Sequence, residues 1–502
     1  MSETEIKLHV EAGRRGRLLD ALGHRRLRQS ALSAIYFDTP DLLLSRHRFA
    51  LRLRNEDGRW VQTLKGGKGG KGAGAERFEH EVAVDPDGAG AGAGVPQLDL
   101  DRHRDSEVGR RLRALLRRHE HPSLGESCRT EVTRLRRLLR ARGAVVEWAL
   151  DEGELKAAGR SQPISELELE LKSGDPASLY ALAHDWEALH GLWVDPVSKS
   201  ERGALLAEGE PFRPAVKAGR PGWNARQARA MDGQMLLRHM VASCVAQILP
   251  NAAEIARGSR DPEHVHQLRV GLRRLRSVVR GMQPFAAQLP PAWEAAIMPV
   301  FEALGDARDK HVRSTTLAPK LRAAGAPLAD LGESSEEETK TIQQLVRGGA
   351  FQGVVLRLMH YAQATGGDAA RGKPGSGLAH LVRRLGKLER QVTRDARRFD
   401  KLPFDQRHKV RKRLKRLRYL AEFAAPAFDG DHVKAWMDKV SPAQDRLGKH
   451  IDLALAAERF AAVAATDPDA AFAAEWLRAK SESSTRAARK SLERLRRAKT
   501  FW

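Results

Sequence analysis

The stretch "ISELELELKSG" constrains the fold of this chain more than any other. It alternates three acids with three leucines, namely Glu166, Glu168 and Glu170 with Leu167, Leu169 and Leu171. Successive side chains of a β-strand point to opposite faces, so one face of this strand is acidic and the other is apolar. The leucines require a core, which predicts a sheet with one strongly charged face.

Charged residues also share a face in other strands predicted before residue 206. The sets are Glu3, Glu5 and Lys7; Arg52 and Arg54; Thr63 and Lys65; and Arg77, Glu79 and Glu81. A solvent-exposed edge would explain any single set. It does not explain why cations and acids recur on separate strands that are all backed by apolar residues. A closed barrel does, because alternate residues of each strand point into its lumen. We therefore predict an antiparallel eight-stranded β-barrel with flanking helices.

A lumen of this composition suits phosphoryl chemistry. Grouped glutamates repel one another unless hard divalent cations such as Mg²⁺ or Mn²⁺ lie between them. Arginine and lysine on the other walls bind phosphoryl oxygens. Phosphoryl transfer depends mainly on positioning and charge neutralisation, and such a lumen could supply both.

The chain changes character near residues 206–224, which are rich in proline and glycine and are predicted to form a linker. Residues 1–205 carry the strand patterns. Residues 225–502 show long helical Ala/Leu/Arg patterns and few strand signals. The expected fold class is therefore α+β and multidomain, with the barrel followed by an all-α domain.

The helical half contains a duplicated basic helix. The first copy carries His266, Arg269, Arg273 and Arg276, and the second carries His408, Arg411, Lys415 and Arg418 at the same spacing, 142 residues later. Each set occupies one helix face. A second pair of matching segments, "LGDARDKHV" and "LGKHIDLAL", follows at nearly the same offset. One basic helix alone would be a solvated outer face, whereas two equivalent basic faces across a groove favour a polyanionic ligand.

Composition restricts the partners and the compartment. The net charge of +23 favours polyanions, while an aromatic content of 5% argues against base-stacking platforms. The two cysteines, Cys128 and Cys244, lack metal-ligand spacing and are expected to be reduced. The absence of a signal sequence and of a long apolar run leads us to expect a cytoplasmic protein with no membrane span.

The first half resembles the CYTH family of triphosphate tunnel metalloenzymes. The motifs that carry the resemblance occur in the family's order over residues 1–205: "ETEIK", "YFDT", "LRLR", "TLK", "VTR", "ELELEL" and "SKSERG". The resemblance implies metal ligands at Glu3, Glu5, Glu168 and Glu170. It implies triphosphate contacts at Lys7, Arg52, Arg54, Arg77, Arg134 and Lys199. Lys65, as general base, and Tyr36 would lie near the attacking water.

The second half resembles the CHAD domain, a helical domain of two pseudo-symmetric bundles that is associated with binding inorganic polyphosphate. The eight basic-helix residues named above carry this resemblance over about residues 225–502. The pairing of the two domains resembles bacterial inorganic triphosphatases, which implies hydrolysis of triphosphate to pyrophosphate and phosphate. The alternatives on the same tunnel are a thiamine triphosphatase and an adenylate cyclase. The non-enzymatic alternatives are a polyphosphate-binding or targeting protein and, ranked lower, a nucleic-acid-binding protein.

Overall fold

The computed structural model describes residues 4–23, 27–67, 77–85, 94–120, 122–289, 292–325, 335–363, 373–464 and 468–502. These residues form two compact units. The first, called the sheet unit, comprises Met1–Val216, Leu249–Ser259 and Gln343–His360. The second, called the helical unit, comprises Lys217–Ile248, Arg260–Ile342 and Tyr361–Trp502.

The sheet unit is built on one antiparallel sheet. Its strands are β1 (Glu5–His9), β2 (Arg28–Asp38), β3 (Phe49–Glu56), β4 (Arg59–Gly67), β5 (Arg77–Val84), β6 (Gly125–Ala141), β7 (Ala144–Ala157), β8 (Arg160–Ser173) and β9 (Trp193–Val194). They pair in the order β5-β4-β3-β2-β6-β7-β8-β1-β9. Long hairpins therefore account for most of the sheet, and β1 returns to pair with β8.

The predicted closed barrel of eight strands differs from this pairing. Among the described residues the sheet has β5 and β9 at its two edges, and no hydrogen-bonded ladder joins them. The short strand β9 covers the free side of β1, and the backbone N–H of Val194 donates to Oε1 of Gln352 at 3.0 Å. A side chain thus occupies the edge that a closing strand would use. The sheet nevertheless curves, since strands β1 to β8 all contribute to one cavity.

Helices cover the apolar face of the sheet. They are α1 (Arg15–Leu22), α2 (Leu43–Arg46), α3 (Glu107–Arg118), α4 (Pro176–His190) and α5 (Lys199–Glu208), with 3₁₀ turns at Ala12–Arg14 and Leu100–His103. Helix α4 begins at Pro176, and Asp175 caps it by accepting a hydrogen bond from the N–H of Ala177 at 2.8 Å. Helix α5 begins with a capping box formed by Ser198 and Glu201.

The core lies between these helices and the outer face of the sheet. Leu167 and Leu169 of β8 are fully buried, as the alternating pattern predicts, and so is Trp148 of β7. Helix α3 packs its leucines, including Leu112, on Leu51 and Leu64 of β3 and β4. Since the apolar side chains take the outer face, the charged residues of the same strands are left on the inner face.

The helices after the linker are α6 (Ala225–Ala230), α7 (Gly233–Arg257), α8 (Pro262–Gly281), α9 (Trp293–Val312), α10 (Ala318–Ala323), α11 (Glu336–Arg347), α12 (Gly349–Gln363), α13 (Ser376–Ala396), α14 (Phe404–Ala424), α15 (Gly430–Val463) and α16 (Pro468–Arg496). A π-helical turn, Arg313–Leu317, follows α9, and 3₁₀ turns lie at Gln283–Phe285, Phe399–Lys401 and Ala425–Ala427. None of the described helices is both long enough and apolar enough to cross a membrane.

The end of α7 and the region around α12 belong to the sheet unit although they follow the linker in sequence. Arg347 forms an ion pair with Glu11 at 2.6 Å, and Asn251 accepts a hydrogen bond from the N–H of Val216 at 3.0 Å. Together with Gln352 on Val194, these contacts complete the sheet unit. No strand or turn pattern in the sequence indicates them.

Candidate functional site

A cavity of about 380 Å³ lies on the charged face of the sheet. Its lining combines lysines, arginines and glutamates from strands β1 to β8 with the first residues of α5: Glu5, Lys7, Tyr36, Ala50, Arg52, Arg54, Glu56, Lys65, Glu79, Glu81, Arg134, Arg136, Glu147, Glu168, Glu170, Lys172, Ser198, Lys199 and Ser200. We call it the sheet cavity. Strand periodicity explains it directly, because the leucine face is buried outside while the alternate residues meet here.

One wall of the sheet cavity is an acidic row across three neighbouring strands. Glu170 of β8 is paired in register with Glu5 of β1 and with Glu147 of β7. Lys172 lies 2.6 Å from Glu170 and 3.8 Å from Glu147, and its side chain is 38% exposed. Lys172 therefore neutralises part of the negative charge of this acidic row, and its side chain is exposed enough to move away into solvent.

One step deeper, Glu168 is surrounded by cations. Its carboxylate is 2.5 Å from Lys7, 2.6 Å from Arg134 and 3.2 Å from Lys199. Burial alone would raise the pKa of Glu168, but these three cations hold it well below its usual value. Burial would likewise lower the pKa of Lys7, yet Glu168 and Glu5 raise it above the ordinary lysine value. Both groups stay charged near neutral pH.

The floor of the sheet cavity is a buried ion-pair network. Asp151, Glu166 and Glu168 bring ligand atoms within 4.8 Å of one another, a spacing that could hold a metal ion. The ammonium group of Lys199 already pairs with all three carboxylates, 2.6 Å from Asp151 and in close contact with Glu166. Burial would lower the pKa of Lys199, but the carboxylates raise it well above the usual value. The network is thus complete without a metal.

Helix α5 is fixed to this floor by Arg202. Its guanidinium lies 2.9 Å from Glu166 and 2.9 Å from Asp195, and all three side chains are almost fully buried. Glu166 therefore bridges Arg202 and Lys199, which stand three residues apart on the same helix. This arrangement orients the first turn of α5 toward the cavity.

The opposite wall carries the remaining cations. Arg52 lies 3.5 Å from the hydroxyl of Tyr36, and Lys65 lies 2.8 Å from Glu79. Burial would lower the pKa of Arg52, but Tyr36 and the nearby glutamates raise it. Burial and neighbouring Arg52 lower the pKa of Arg54. This wall therefore concentrates positive charge beside two groups, Tyr36 and Lys65, that can contact a water molecule.

Most residues singled out in the first half of the sequence meet in the sheet cavity. Those with lining side chains are Glu5, Lys7, Tyr36, Arg52, Arg54, Lys65, Arg134, Glu168, Glu170 and Lys199. Glu3 and the side chain of Arg77 lie outside the described residues. Asp38, which belongs to the "YFDT" motif, instead accepts hydrogen bonds from the backbone N–H groups of Leu44 and Ser45 and so shapes the turn after β2.

The sequence analysis did not include several residues that line the cavity. Three of them are each the next residue on the same face of a strand whose charged residues were already identified. Glu56 follows Arg54, Arg136 follows Arg134, and Lys172 follows Glu170, in each case two positions on. Glu147 shares a face with Asp151 on β7. Glu56 and Arg136, on the two strands that flank β2, also form an ion pair at 2.9 Å.

The helical unit contains a second, larger cavity of about 1540 Å³. We call it the basic cavity. Of the predicted polyphosphate contacts, seven line it: His266, Arg269, Arg273, Arg276, His408, Arg411 and Lys415. Arg418 is not among the lining residues and pairs with Glu422 at 2.9 Å. Further cations, including Arg308, Arg313 and Lys449, line the cavity and were not indicated by the repeat.

The electrostatics of the basic cavity are strongly repulsive. Arg411 has a carboxylate partner, Asp452, at 2.9 Å. Burial, together with neighbouring Arg273, lowers the pKa of Arg269 to about 10. Burial and the same neighbour lower the pKa of Lys415 to about 6. The cavity therefore holds more positive charge than its own acids neutralise, as an anion-binding site requires.

Comparison with known protein families agrees with this geometry. The CYTH domain model matches residues 1–204, and the CHAD domain model matches residues 239–461. The chain therefore carries a CYTH domain followed by a CHAD domain. A curated relative, the inorganic triphosphatase of Haemophilus influenzae, is 28% identical over 177 residues, which are 35% of this chain and 46% of the relative. The match thus spans about half the length of that relative.

Solved structures give matches to each domain. The CHAD domain of the plant Ricinus communis is 24% identical, with a TM-score of 0.42, over 56% of this chain and 97% of that one. A candidate adenylyl cyclase from Hippeastrum, described as having a dominant triphosphatase activity, is 21% identical, with a TM-score of 0.29, over 42% of this chain and 98% of that one. Both TM-scores are below 0.5.

Proposed function

We propose that the sheet cavity hydrolyses inorganic triphosphate to pyrophosphate and phosphate with the help of a divalent cation. The observation that carries the proposal is a single cavity in which lysines, arginines and glutamates from seven strands converge, with Tyr36 from an eighth. The match to the CYTH domain model and the triphosphatase relative support the same reaction class. Triphosphate is small and highly charged, and such a ligand suits a cavity of about 380 Å³ that contains hardly any apolar lining.

The phosphoryl oxygens would be bound by the cations that line the cavity, namely Lys7, Arg52, Arg54, Arg134 and Lys199. The CYTH resemblance adds Arg77 to this set. Positive groups around a transferring phosphoryl group lower the barrier by neutralising the charge on its oxygens. Lys7, Arg134 and Lys199 are held by Glu168 before substrate arrives. They are thus pre-oriented, and little reorganisation is needed when triphosphate enters.

The acidic row offers the best fit for Mg²⁺ or Mn²⁺. Glu5, Glu147 and Glu170 supply the oxygen ligands that these hard cations prefer. Their main competitor, Lys172, is partly exposed and can move into solvent. Glu168, a predicted ligand with Glu3, already bonds Lys7 and Arg134 and would join the site only by exchanging a partner. A bound cation would neutralise phosphoryl oxygens and polarise the phosphorus.

Lys65 would act on the attacking water, with Tyr36 beside it. Lys65 lies 2.8 Å from Glu79, and this ion pair holds its side chain at the wall where the water would stand. The hydroxyl of Tyr36, 3.5 Å from Arg52, would orient the water relative to the bound phosphate.

Phosphate release from triphosphate tests this proposal, with Glu147→Gln and Glu154→Gln as a matched pair. Both residues lie on β7, but Glu154 is exposed and pairs with Lys156 at 3.3 Å, outside the sheet cavity. We expect Glu147→Gln to lower turnover at least tenfold, with partial recovery at higher Mg²⁺ or Mn²⁺ concentration. Glu154→Gln should behave as the wild type. Equal turnover in both variants at every metal concentration would refute the metal role of the acidic row.

We further propose that the basic cavity binds inorganic polyphosphate. The specific observation is the surplus of cations at the duplicated helices, where burial and neighbouring Arg273 lower the pKa of both Lys415 and Arg269. Binding across a salt series should show a steep slope that Arg273→Ala reduces by about one. Arg260→Ala is the control, since Arg260 lies on the surface and pairs with Glu336. Equal, weak affinity for polyphosphate and duplex DNA would instead indicate a generic basic domain.

A further inference from the structure

We infer that the basic cavity takes up a proton together with its polyanionic ligand, and that Lys415 is the group that receives it. The inference rests on the proposed polyphosphate binding and specifies how the cavity recognises a chain of high charge density. It also assigns a distinct role to one of the two equivalent positions of the repeat, because Lys415 corresponds to Arg273 in the other copy.

The surroundings of Lys415 explain why the free cavity disfavours a full charge there. From α8, Arg273, Arg269 and His266 face it, and on its own helix Arg411 and His408 flank it. From α15, Asp445, Lys449 and Asp452 line the cavity, and Asp452, the acid that acts on Lys415, is already paired with Arg411 at 2.9 Å. Among the described residues, no carboxylate forms an ion pair or a hydrogen bond with Lys415.

The other helix packed against α14 does not relieve this repulsion. From α13, Asp395 pairs with Arg413, and Arg384 lies near Arg416. Both interactions engage α14 residues other than Lys415. The ammonium form of Lys415 therefore lies near cations of α8 and of its own helix, α14. The nearby acid on α15, Asp452, is shared with Arg411.

The asymmetry between Lys415 and Arg273 follows from their chemistry. A guanidinium keeps its proton in any protein environment, whereas an ammonium group loses its proton when burial and like charge disfavour it. Among these cations the pKa of Lys415 is about 6, so it carries little charge at pH 7. A polyanion placed beside Arg273 and Arg411 reverses the local potential and returns the pKa of Lys415 toward its ordinary value.

Proton uptake makes binding favour ligands of high charge density. A ligand that brings several phosphoryl charges close to Lys415 gains the full attraction of a newly formed ammonium group. A ligand with widely spaced charges, such as duplex DNA, does not shift the protonation of Lys415 as far. Affinity should therefore rise as the pH falls, because the bound state holds more protons than the free state.

The test measures protons taken up on binding. Wild-type full-length protein is titrated calorimetrically with size-fractionated polyphosphate at pH 7, without divalent metal so that hydrolysis does not intervene. The same titration in buffers of different ionisation enthalpy gives the number of protons absorbed. A pKa of about 6 leaves Lys415 roughly one-tenth protonated at pH 7, so it should contribute about 0.9 of a proton.

The decisive variant is Lys415→Arg, which fixes the positive charge. It should still bind polyphosphate, absorb nearly one proton fewer than the wild type, and lose part of the pH dependence of affinity between pH 6 and 8. Lys439→Arg on the exposed side of α15 is the control and should absorb the wild-type number. The ligand's terminal phosphates contribute equally to all of these proteins. A cation at position 415 lowers the pKa of His266 and His408, so both histidines are replaced by Gln in the wild-type and Lys415→Arg backgrounds to isolate Lys415.

The outcomes separate the two proposals. Binding with the same proton uptake in wild type and Lys415→Arg would overturn the inference and leave polyphosphate binding standing. Absence of polyphosphate binding in wild type would overturn the proposed function of the basic cavity, and the inference with it. Reduced uptake in Lys415→Arg at preserved binding is the result that we expect.

Discussion

Replacing Gly203 by alanine should disturb the anchor of α5 and, with it, the floor of the sheet cavity. Helix α5 crosses β6 so closely that a Cβ at position 203 would stand 2.1 Å from Sγ and 2.8 Å from Cβ of Cys128. Ordinary contacts of this kind lie near 3.5–4.0 Å, so α5 would have to move by about 1.5 Å. Overpacking of this size costs about 1–3 kcal/mol. Alanine recovers up to about 1 kcal/mol through helix propensity, which leaves a net loss of about 0–2 kcal/mol.

The substitution to combine with Gly203→Ala is Cys128→Ala, which removes Sγ, the atom nearest to the added Cβ of residue 203. Cβ of residue 128 remains, 2.8 Å from that added Cβ. The double variant should recover part of the loss, with a coupling energy of about 1 kcal/mol. Gly16→Ala is the control, because Gly16 also lies in a helix, α1, and a Cβ there meets nothing within 4 Å. Hydrogen exchange of β6 and α5 peptides under increasing urea gives the local free energies of opening. Additivity of the Gly203 and Cys128 substitutions within about 0.5 kcal/mol would refute the steric argument.

Two other predictions follow from buried charges in the sheet unit. Glu166→Gln leaves Lys199 and its neighbours with one carboxylate fewer and should destabilise the sheet unit by about 3 kcal/mol, as measured by urea unfolding. The control Glu154→Gln, at an exposed position, should cost less than about 0.5 kcal/mol. Equal effects of the two substitutions would contradict a stabilising role for the buried ion pairs of Glu166. His80 and His103 contact each other through Nδ1 at 2.9 Å, and burial, with His80 beside it, lowers the pKa of His103 to about 4. The unfolded chain therefore binds a proton at higher pH than the folded chain does. The free energy of unfolding should fall by an amount on the order of 2 kcal/mol as the pH drops from about 6.5 toward 4, and His103→Gln should reduce this fall. The same dependence of unfolding free energy on pH in that variant as in the wild type would contradict the assignment to His103.

The inner face of the sheet could be predicted because strand alternation is a local property. Glu168 and Leu169 point to opposite faces in any extended strand, so the quoted ELELEL segment alone separates a charged face from a core face. The register between strands is not local. That Glu170 stands between Glu5 and Glu147 depends on how β1 returns to β8 and on the length of the β7–β8 hairpin.

The parts that sequence reasoning did not reach depend on tertiary contacts. The role of Arg202 depends on where α5 crosses the sheet, and the contribution of Gln352 depends on a helix that lies about 150 residues beyond the strand it caps. In the helical unit, the repeat spacing placed Arg273 and Lys415 at equivalent positions, and both line the basic cavity. It could not show that Arg411 pairs with Asp452 and that no acid among the described residues forms an ion pair with Lys415.

Side-by-side turnover of inorganic triphosphate, thiamine triphosphate and ATP shows whether the sheet cavity is an inorganic triphosphatase. Purified full-length protein is assayed for phosphate release with Mg²⁺ and, separately, with Mn²⁺. Because the sheet cavity is lined by charged groups and offers hardly any apolar surface for an organic base, we expect kcat/KM for triphosphate to exceed the other two by at least tenfold. Metal-dependent turnover of thiamine triphosphate or ATP at a higher kcat/KM than triphosphate, or no release from triphosphate with either metal, would contradict it.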